Sequence, residues 1–405
     1  MTQPESYIRK VMWRNSACPR ISRLPDSVLS HILSFVPTTD AVKTGVLSTR
    51  WKHLFASASN VHFDDSRVVC DFLNRRGKRR KTDLVPLHSF VIFVYRVLAL
   101  RNSQLINRFR FKCAAGQFLG YEMKPHLNTW ISVALWHGVR ELDLHISPLT
   151  KSNLLPCRLF TSATLRVLKL TMNGAELNVP ASVRFSSLKI LHLRSMVFVD
   201  DGSVKRLFSG CSVLEDLLIE FCNFNRMKVV DISIPTLLML TINGRTSNYE
   251  NNQNIIPQPL EDSSQFCLPQ FPHLTYLELD SAYASEWKVV STFIENSPHL
   301  EELIFPHYFT RTSSWPAGSQ SPTTLQNKGQ KCLSSMLRKI EIRKFSGSEY
   351  EFKLIGYFLK ISEGLEMLTI IKSWTYDLKS SFDISKKLLM LPRRYKTCQI
   401  ELNGL

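Results

Sequence analysis

Side chains able to do chemistry are plentiful in this 405-residue chain but poorly grouped. Its eleven histidines are scattered, without the spacing of a metal-ligand or nucleophile-activating set. No GxSxG elbow, HExxH pair, phosphate-cradling GxxxxGK or GxGxxG turn occurs. Adjacent carboxylates such as Glu301 and Glu302 sit inside a repeated apolar pattern, where exposed strand positions account for them. The nine cysteines are odd in number, widely spread and never in a CxxC pair, which points to a reducing compartment and away from disulfide or zinc frameworks. No catalytic residue, metal ligand or cofactor is assigned. The chemistry left is recognition, carried by charged and apolar side chains at regular spacing.

The net charge of +17 is unevenly spread. Residues 1–112 hold 20 Lys/Arg against 7 Asp/Glu, or +13, which leaves +4 for the rest. The densest point is RRGKRRK, Arg75 to Lys81. Like charges at that density repel, so a solvated linker is the first reading and a nuclear-import signal the second. Nucleic-acid contact ranks last, because no aromatic residues interleave with the run for base stacking. The N-terminus lacks the apolar core of a secretory signal, and the most apolar run, Phe90 to Leu100, is too short to span a bilayer and contains Arg96. Nucleus or cytoplasm is expected, without a membrane partner.

The elements that must position the recognition residues are legible as a repeat. The pattern LxxLxL, with Val, Ile or Phe substitutions, starts at Val139, Leu165, Leu188, Leu214, Leu237, Leu274, Leu300, Leu337 and Leu365. Successive starts lie 26, 23, 26, 23, 37, 26, 37 and 28 residues apart, mostly within or near the spacing of leucine-rich repeats. The last two apolar positions of each copy alternate along a short strand and point inward. One unit cannot bury its own apolar face, but stacked units can. The expected fold is therefore α/β, a curved parallel sheet with helices or irregular segments on its convex side. Val204 to Phe208 and Trp287 to Ile294 carry helix-like spacing between copies. A further strand at Phe109 to Lys112, after a helix around Val91 to Leu100, brings the count to about ten rungs. Polar insertions near 245–265 and 307–330 read as loops.

In each strand the residues flanking the inward pair face the concave side, which yields a set of target-contact candidates: Asp143, Lys169, His192, Arg194, Asp216, Glu220, Tyr276, Glu278, Asp280 and Glu302. They form bands, acidic at the fourth, sixth and seventh copies and basic at the second, third and eighth. Such banding suits a bipolar protein or peptide better than a polyanion.

Residues 21–63 divide into three short helices. The first spans about Asp26 to Phe35, entered through Pro25 and stopped by Pro37. The second lies near Ala41 to Leu47, capped by Thr39 or Asp40, and the third near Thr49 to Phe55, capped by Ser48. Val28, Leu29, Ile32 and Leu33 share one helix face. Forty residues so rich in apolar surface are marginal alone, so part of the set is expected to meet a partner.

This segment resembles the F-box, on Ile21, Ser22, Leu24, Pro25, Asp26, Leu29, Ile32, Leu33, Ser34, Phe35, Pro37, Ala41, Val42, Thr44, Leu47, Ser48, Arg50, Trp51 and Leu54 in register. The family often has Lys or Arg near Thr39 and Trp at Phe55, where this chain departs. The stretch GCSVLEDLLI from Gly210 is similar to the wording of plant F-box proteins with leucine-rich repeats, and CLSSMLRKIEI from Cys332, EGLEMLTI from Glu363 and LPRRYKTCQIEL from Leu391 resemble their C-terminal FBD region. The resemblance divides the chain into a tail (1–20), F-box (21–63), basic linker with lead-in helix (64–104), solenoid (105–314) and FBD-like repeats (315–405). It implies a non-catalytic substrate receptor whose F-box binds a Skp-family adaptor, and through it cullin and a RING subunit, while the repeats hold a target protein. Leu24, Pro25, Leu29, Ile32, Leu33, Val46, Leu47 and Trp51 then lie at or beneath the adaptor interface. The alternative is a scaffold of the same architecture that is not coupled to ubiquitination.

Overall fold

The computed structural model describes residues 21–74, 85–101, 105–114, 122–147, 155–224, 230–244, 266–267, 269–280, 287–306, 336–372, 378–393 and 398–404. The basic run 75–81 and the polar insertions 245–265 and 307–330 lie outside them.

Helix α1, Asp26–Leu33, starts after Pro25, whose missing N–H leaves no bond unmade there. Helix α2, Thr38–Lys43, follows Pro37 and tightens into a 3-10 turn at Thr44–Val46; a second 3-10 turn, Trp51–Ser57, is the third helical piece. The expected side-chain caps are not made. Pro37 occupies the position before α2, and Asp40 instead pairs with Lys43 at 2.9 Å. Ser48 contributes its carbonyl, not its hydroxyl, to the Trp51 amide. Leu29, Leu33, Ala41, Trp51, Leu54 and Phe55 are buried here, continuous with the core of the sheet.

Strand β1, Asn60–Asp64, follows at once and is the first strand of the main sheet. Three bonds fix this join. The Asn60 side-chain amide donates to the Ser34 carbonyl at 3.2 Å, the His62 amide donates to Thr38 Oγ1 at 2.8 Å, and the Arg101 guanidinium donates to the Ala58 carbonyl. Arg101 is buried, and desolvation pulls its pKa down to about 10.

Helices α3 (Ser66–Asn74) and α4 (Val85–Ala99) lead to β2, Arg108–Cys113. Helix α5 (Met123–Trp136) precedes β3, Glu141–Ile146. The repeat copies then supply β4 (Val167–Leu177), β5 (Ile190–Phe198), β6 (Asp216–Glu220), β8 (Met239–Asn243), β10 (Tyr276–Leu279), β11 (Glu302–Phe305), β12 (Lys339–Phe345) and β13 (Met367–Lys372). Strand β14, Gln399–Gly404, closes the series, while the two-residue strands β7 (Val230–Asp231) and β9 (Phe266–Cys267) pair apart. Between strands lie α6 (Asp201–Ser209), α7 (Trp287–Asn296), α8 (Glu349–Ile361) and α9 (Leu378–Leu389).

The main sheet has twelve strands, in the order β1-β2-β3-β4-β5-β6-β8-β10-β11-β12-β13-β14. Its pairings are parallel throughout. The α/β solenoid is the expected one, with two more rungs than the repeat pattern indicates: β1 and β14 lack the leading leucine. Leu142, Leu168, Leu191, Leu217 and Leu240 fall in one row across five strands, all buried. This apolar side of the sheet packs on the helices: Phe111 of β2 meets Trp130 of α5 at 5.1 Å between ring centroids. Two devices fix the connecting turns. Gly210, ending α6, lies so near Val183 that an added Cβ would stand 2.4 Å from its side chain. At α8 the Ser348 hydroxyl caps the Glu351 amide, while the fully buried Glu351 carboxylate accepts from the amides and hydroxyls of Ser346 and Ser348.

Candidate functional site

Two surfaces carry the residues singled out by sequence. On the helical module, Leu29, Leu33 and Trp51 are buried, at 0%, 3% and 6% exposure. They lie beneath a surface rather than form it, Trp51 among them in the internal core with Leu54 and Phe55. Leu24 and Ile32 are half-buried and Pro25 is exposed. Val46 and Leu47 project outright, at 88% and 67% exposed. Four exposed apolar residues join them that the candidate set missed: Ile21, Val28, Phe35 and Val36. Pro37 was the signal for Phe35 and Val36, because the helix ends before it and leaves them in a turn. Arg50 ties the surface together, donating to the Asp26 carboxylate at 2.7 Å and to the Leu24 carbonyl. Apolar side chains held in water around such a clamp are the composition of an unfilled protein interface.

The second surface is the face of the sheet opposite the helices. Strand alternation places Asp143, Lys169, His192, Arg194, Asp216, Glu220, Tyr276, Glu278 and Glu302 there, half-buried, as expected. Asp280 is a correction: it is fully buried at the end of β10, where its carboxylate accepts the Gly244 amide at 2.9 Å. The acidic and basic bands pair with one another across the strands. Arg110 pairs with Asp143 at 2.8 Å and Arg108 with Glu141. His192 stands 3.2 Å from Asp216, and Arg194 pairs with Glu220. Arg343 lies 2.6 Å from Glu341 and 3.8 Å from Glu278, and Lys339 lies 3.9 Å from Glu302. The Tyr276 hydroxyl donates to Glu278 at 2.8 Å, and desolvation with that bond pushes its pKa up. Lys169 has no ion-pair partner among the described residues.

On the N-terminal strands, burial first, and then Arg110 and Lys112 respectively, hold the imidazoles of His62 and His145 below their usual pKa. The thiols of Cys211 and Cys222 are pushed up to about 12 by burial, far from nucleophilic character. Among the described residues no group of three His, Cys, Asp or Glu could hold a metal ion, and no helix is long and apolar enough to cross a membrane.

Three family models match successive segments of the chain. An F-box domain model matches residues 21–62, the leucine-rich repeats described for FBD-associated F-box protein At5g56370 match 127–253, and the FBD model matches 330–370. The chain belongs to the plant family of F-box/FBD/leucine-rich-repeat proteins. F-box/FBD/LRR-repeat protein At5g56420 of Arabidopsis thaliana is 26% identical over 94% of this chain and 98% of its own length. FBD-associated F-box protein At4g10400 of the same plant is 29% identical over 95% and 100%. F-box/LRR-repeat protein At3g59200, also of that plant, reaches 34% over 67% of this chain and 48% of its own. F-box/leucine-rich-repeat proteins are in general non-catalytic adaptors, and the F-box in general binds a Skp-type partner. Within that family, Pro25, Val46, Leu47 and Phe35 of this chain occupy the exposed side of the F-box, and the rows of β1 to β14 present its open sheet face.

Proposed function

We propose that the chain is the substrate-recognition subunit of a Skp-cullin-F-box ubiquitin ligase, in which the F-box docks on the Skp adaptor and the open sheet face holds a target protein for ubiquitination. The observation that carries this reading is the exposed apolar set Val28, Phe35, Val36, Val46 and Leu47 on one small helical module. Burying such side chains against a partner contributes roughly 25 cal/mol per Å² of apolar area. The receptor breaks no bond; it raises the concentration of the target's lysines near the charged conjugating enzyme. The run Arg75 to Lys81 supports nuclear import, which a fluorescent fusion with those six cations neutralised tests by loss of nuclear signal.

The decisive experiment is recovery of the Skp adaptor and cullin on the purified chain, comparing wild type with the double variant Val46→Glu, Leu47→Glu. Adaptor and cullin recovered together by wild type, with adaptor affinity at least ~10-fold weaker in a variant of unchanged melting temperature, are the expected result. Adaptor without cullin means a scaffold not coupled to ubiquitination. Neither recovered by a folded wild type removes the proposal.

A further inference from the structure

The open face does not present charge uniformly. Ion pairs lace β2 to β3, β5 to β6 and the region from β10 to β12, so those charges are already partnered within the chain. Between the β5–β6 pairs and the β10–β12 cluster, β8 presents no charged side chain, and apolar side chains gather around it. Strand pairing aligns Ile190, Asp216, Met239 and Tyr276 in one row and His192, Leu218, Thr241 and Glu278 in the next. Met239, 42% exposed, is the most open of them, with Leu218 and Ile190 half-buried on the strands before it and the Tyr276 ring on the strand after. A thioether displayed at the centre of a sheet face gains nothing from the core and is adaptable contact material.

Charge flanks this apolar seat with opposite signs. On the β4 side stands Lys169, half-buried and without an ion-pair partner among the described residues. On the other side Glu278, Glu302 and Glu341 share the two cations Lys339 and Arg343, which leaves one negative charge in excess. From β4 to β10 there are four strand spacings, or about 19 Å at ~4.8 Å each, the length of about six extended residues.

Resting on the assignment of this face to target binding, we infer that it takes an extended protein segment lying across the strands. The segment carries an aliphatic or aromatic side chain for the Met239 seat, an acidic residue toward Lys169, and a basic residue about six positions away toward Glu278 and Glu302. The apolar contact, surrounded by partnered charges that exclude water, supplies the affinity, and the two end charges set direction.

The test uses the purified full chain and an array of synthetic decapeptides on a Ser/Ala background. In these, the presence, order and separation of one Asp, one Leu or Phe and one Lys are varied. The expected result is strongest binding where Leu or Phe lies between charges about six apart. Met239→Glu lowers it at least 10-fold, Lys169→Glu switches the preference at that end from Asp to Lys, and Leu389→Glu, a remote exposed apolar position, changes nothing. A blank array, binding indifferent to Met239→Glu, or an end preference unmoved by Lys169→Glu overturns the inference. Adaptor and cullin recovery, measured on the same preparations, is independent of these readouts, so its loss would count against the ligase reading and not against the seat.

Discussion

The F-box and the sheet treat apolar side chains in opposite ways. The F-box hides Leu29, Leu33 and Trp51 but leaves Val46, Leu47 and Phe35 in water. The sheet buries its leucine rows and shows solvent mostly charged side chains that pair within and across strands, with an apolar opening at Met239. A surface of exposed aliphatics is complete only with a partner, which suits a dock of fixed occupancy. A self-neutralised surface is stable alone and discriminates through the few positions left unpaired, which suits selective reading.

Substitutions in the core of either region should therefore behave alike, while surface substitutions diverge. Trp130→Ala in the solenoid and Trp51→Ala in the F-box each remove a buried indole, and each should cost about 3–5 kcal/mol of stability by chemical denaturation. Val46→Glu with Leu47→Glu should leave that measurement within ~0.5 kcal/mol. If Trp51→Ala proved harmless to stability yet abolished adaptor binding, the division into supporting and contacting residues would be wrong. Glu351→Ala strips the buried acceptor from Ser346 and Ser348 and should cost about 2–3 kcal/mol, visible as faster hydrogen exchange in α8. Arg108→Ala, which removes the pair with the partly exposed Glu141, should cost no more than ~1 kcal/mol and lose even that at high salt.

The smallest expected effect is that of pH. Burial holds His62, His126 and His145 below the usual imidazole value. The unfolded chain then binds more protons than the folded one from about pH 6.5 down to those lower values, and stability falls as the solution is acidified through that window. Exchange at mildly acidic against neutral pH should open the strands from β1 to β3 before those from β11 to β13. Uniform loosening would erase the distinction.

Much of this architecture is legible in the residues. The LxxLxL copies place nine strands, and Phe109 to Lys112 a tenth, because a leucine row buried by stacking repeats its spacing in the sequence. β1 and β14 were hidden: NVHFD and QIELNG lack the leading leucine, and β1 overlaps the F-box wording. On the F-box, spacing identifies Trp51 as important but not which way it faces, since helical pieces this short are apolar on more than one side. Asp280 occupies an outward position by alternation, yet it is fully buried and its carboxylate accepts the Gly244 amide. The cross-strand pairs needed the register, which intervals varying from 23 to 37 residues conceal.

The bonds from Asn60, His62 and Arg101 across the F-box boundary make the first rung part of both modules. With no swivel at that point, the sheet acts as a ruler graduated in strand spacings. Material held between β4 and β10 stands three to seven graduations from β1, about 14 to 34 Å. Under the proposed ligase function, moving a binding segment by one repeat would shift a bound target by one graduation, and with it the lysine presented.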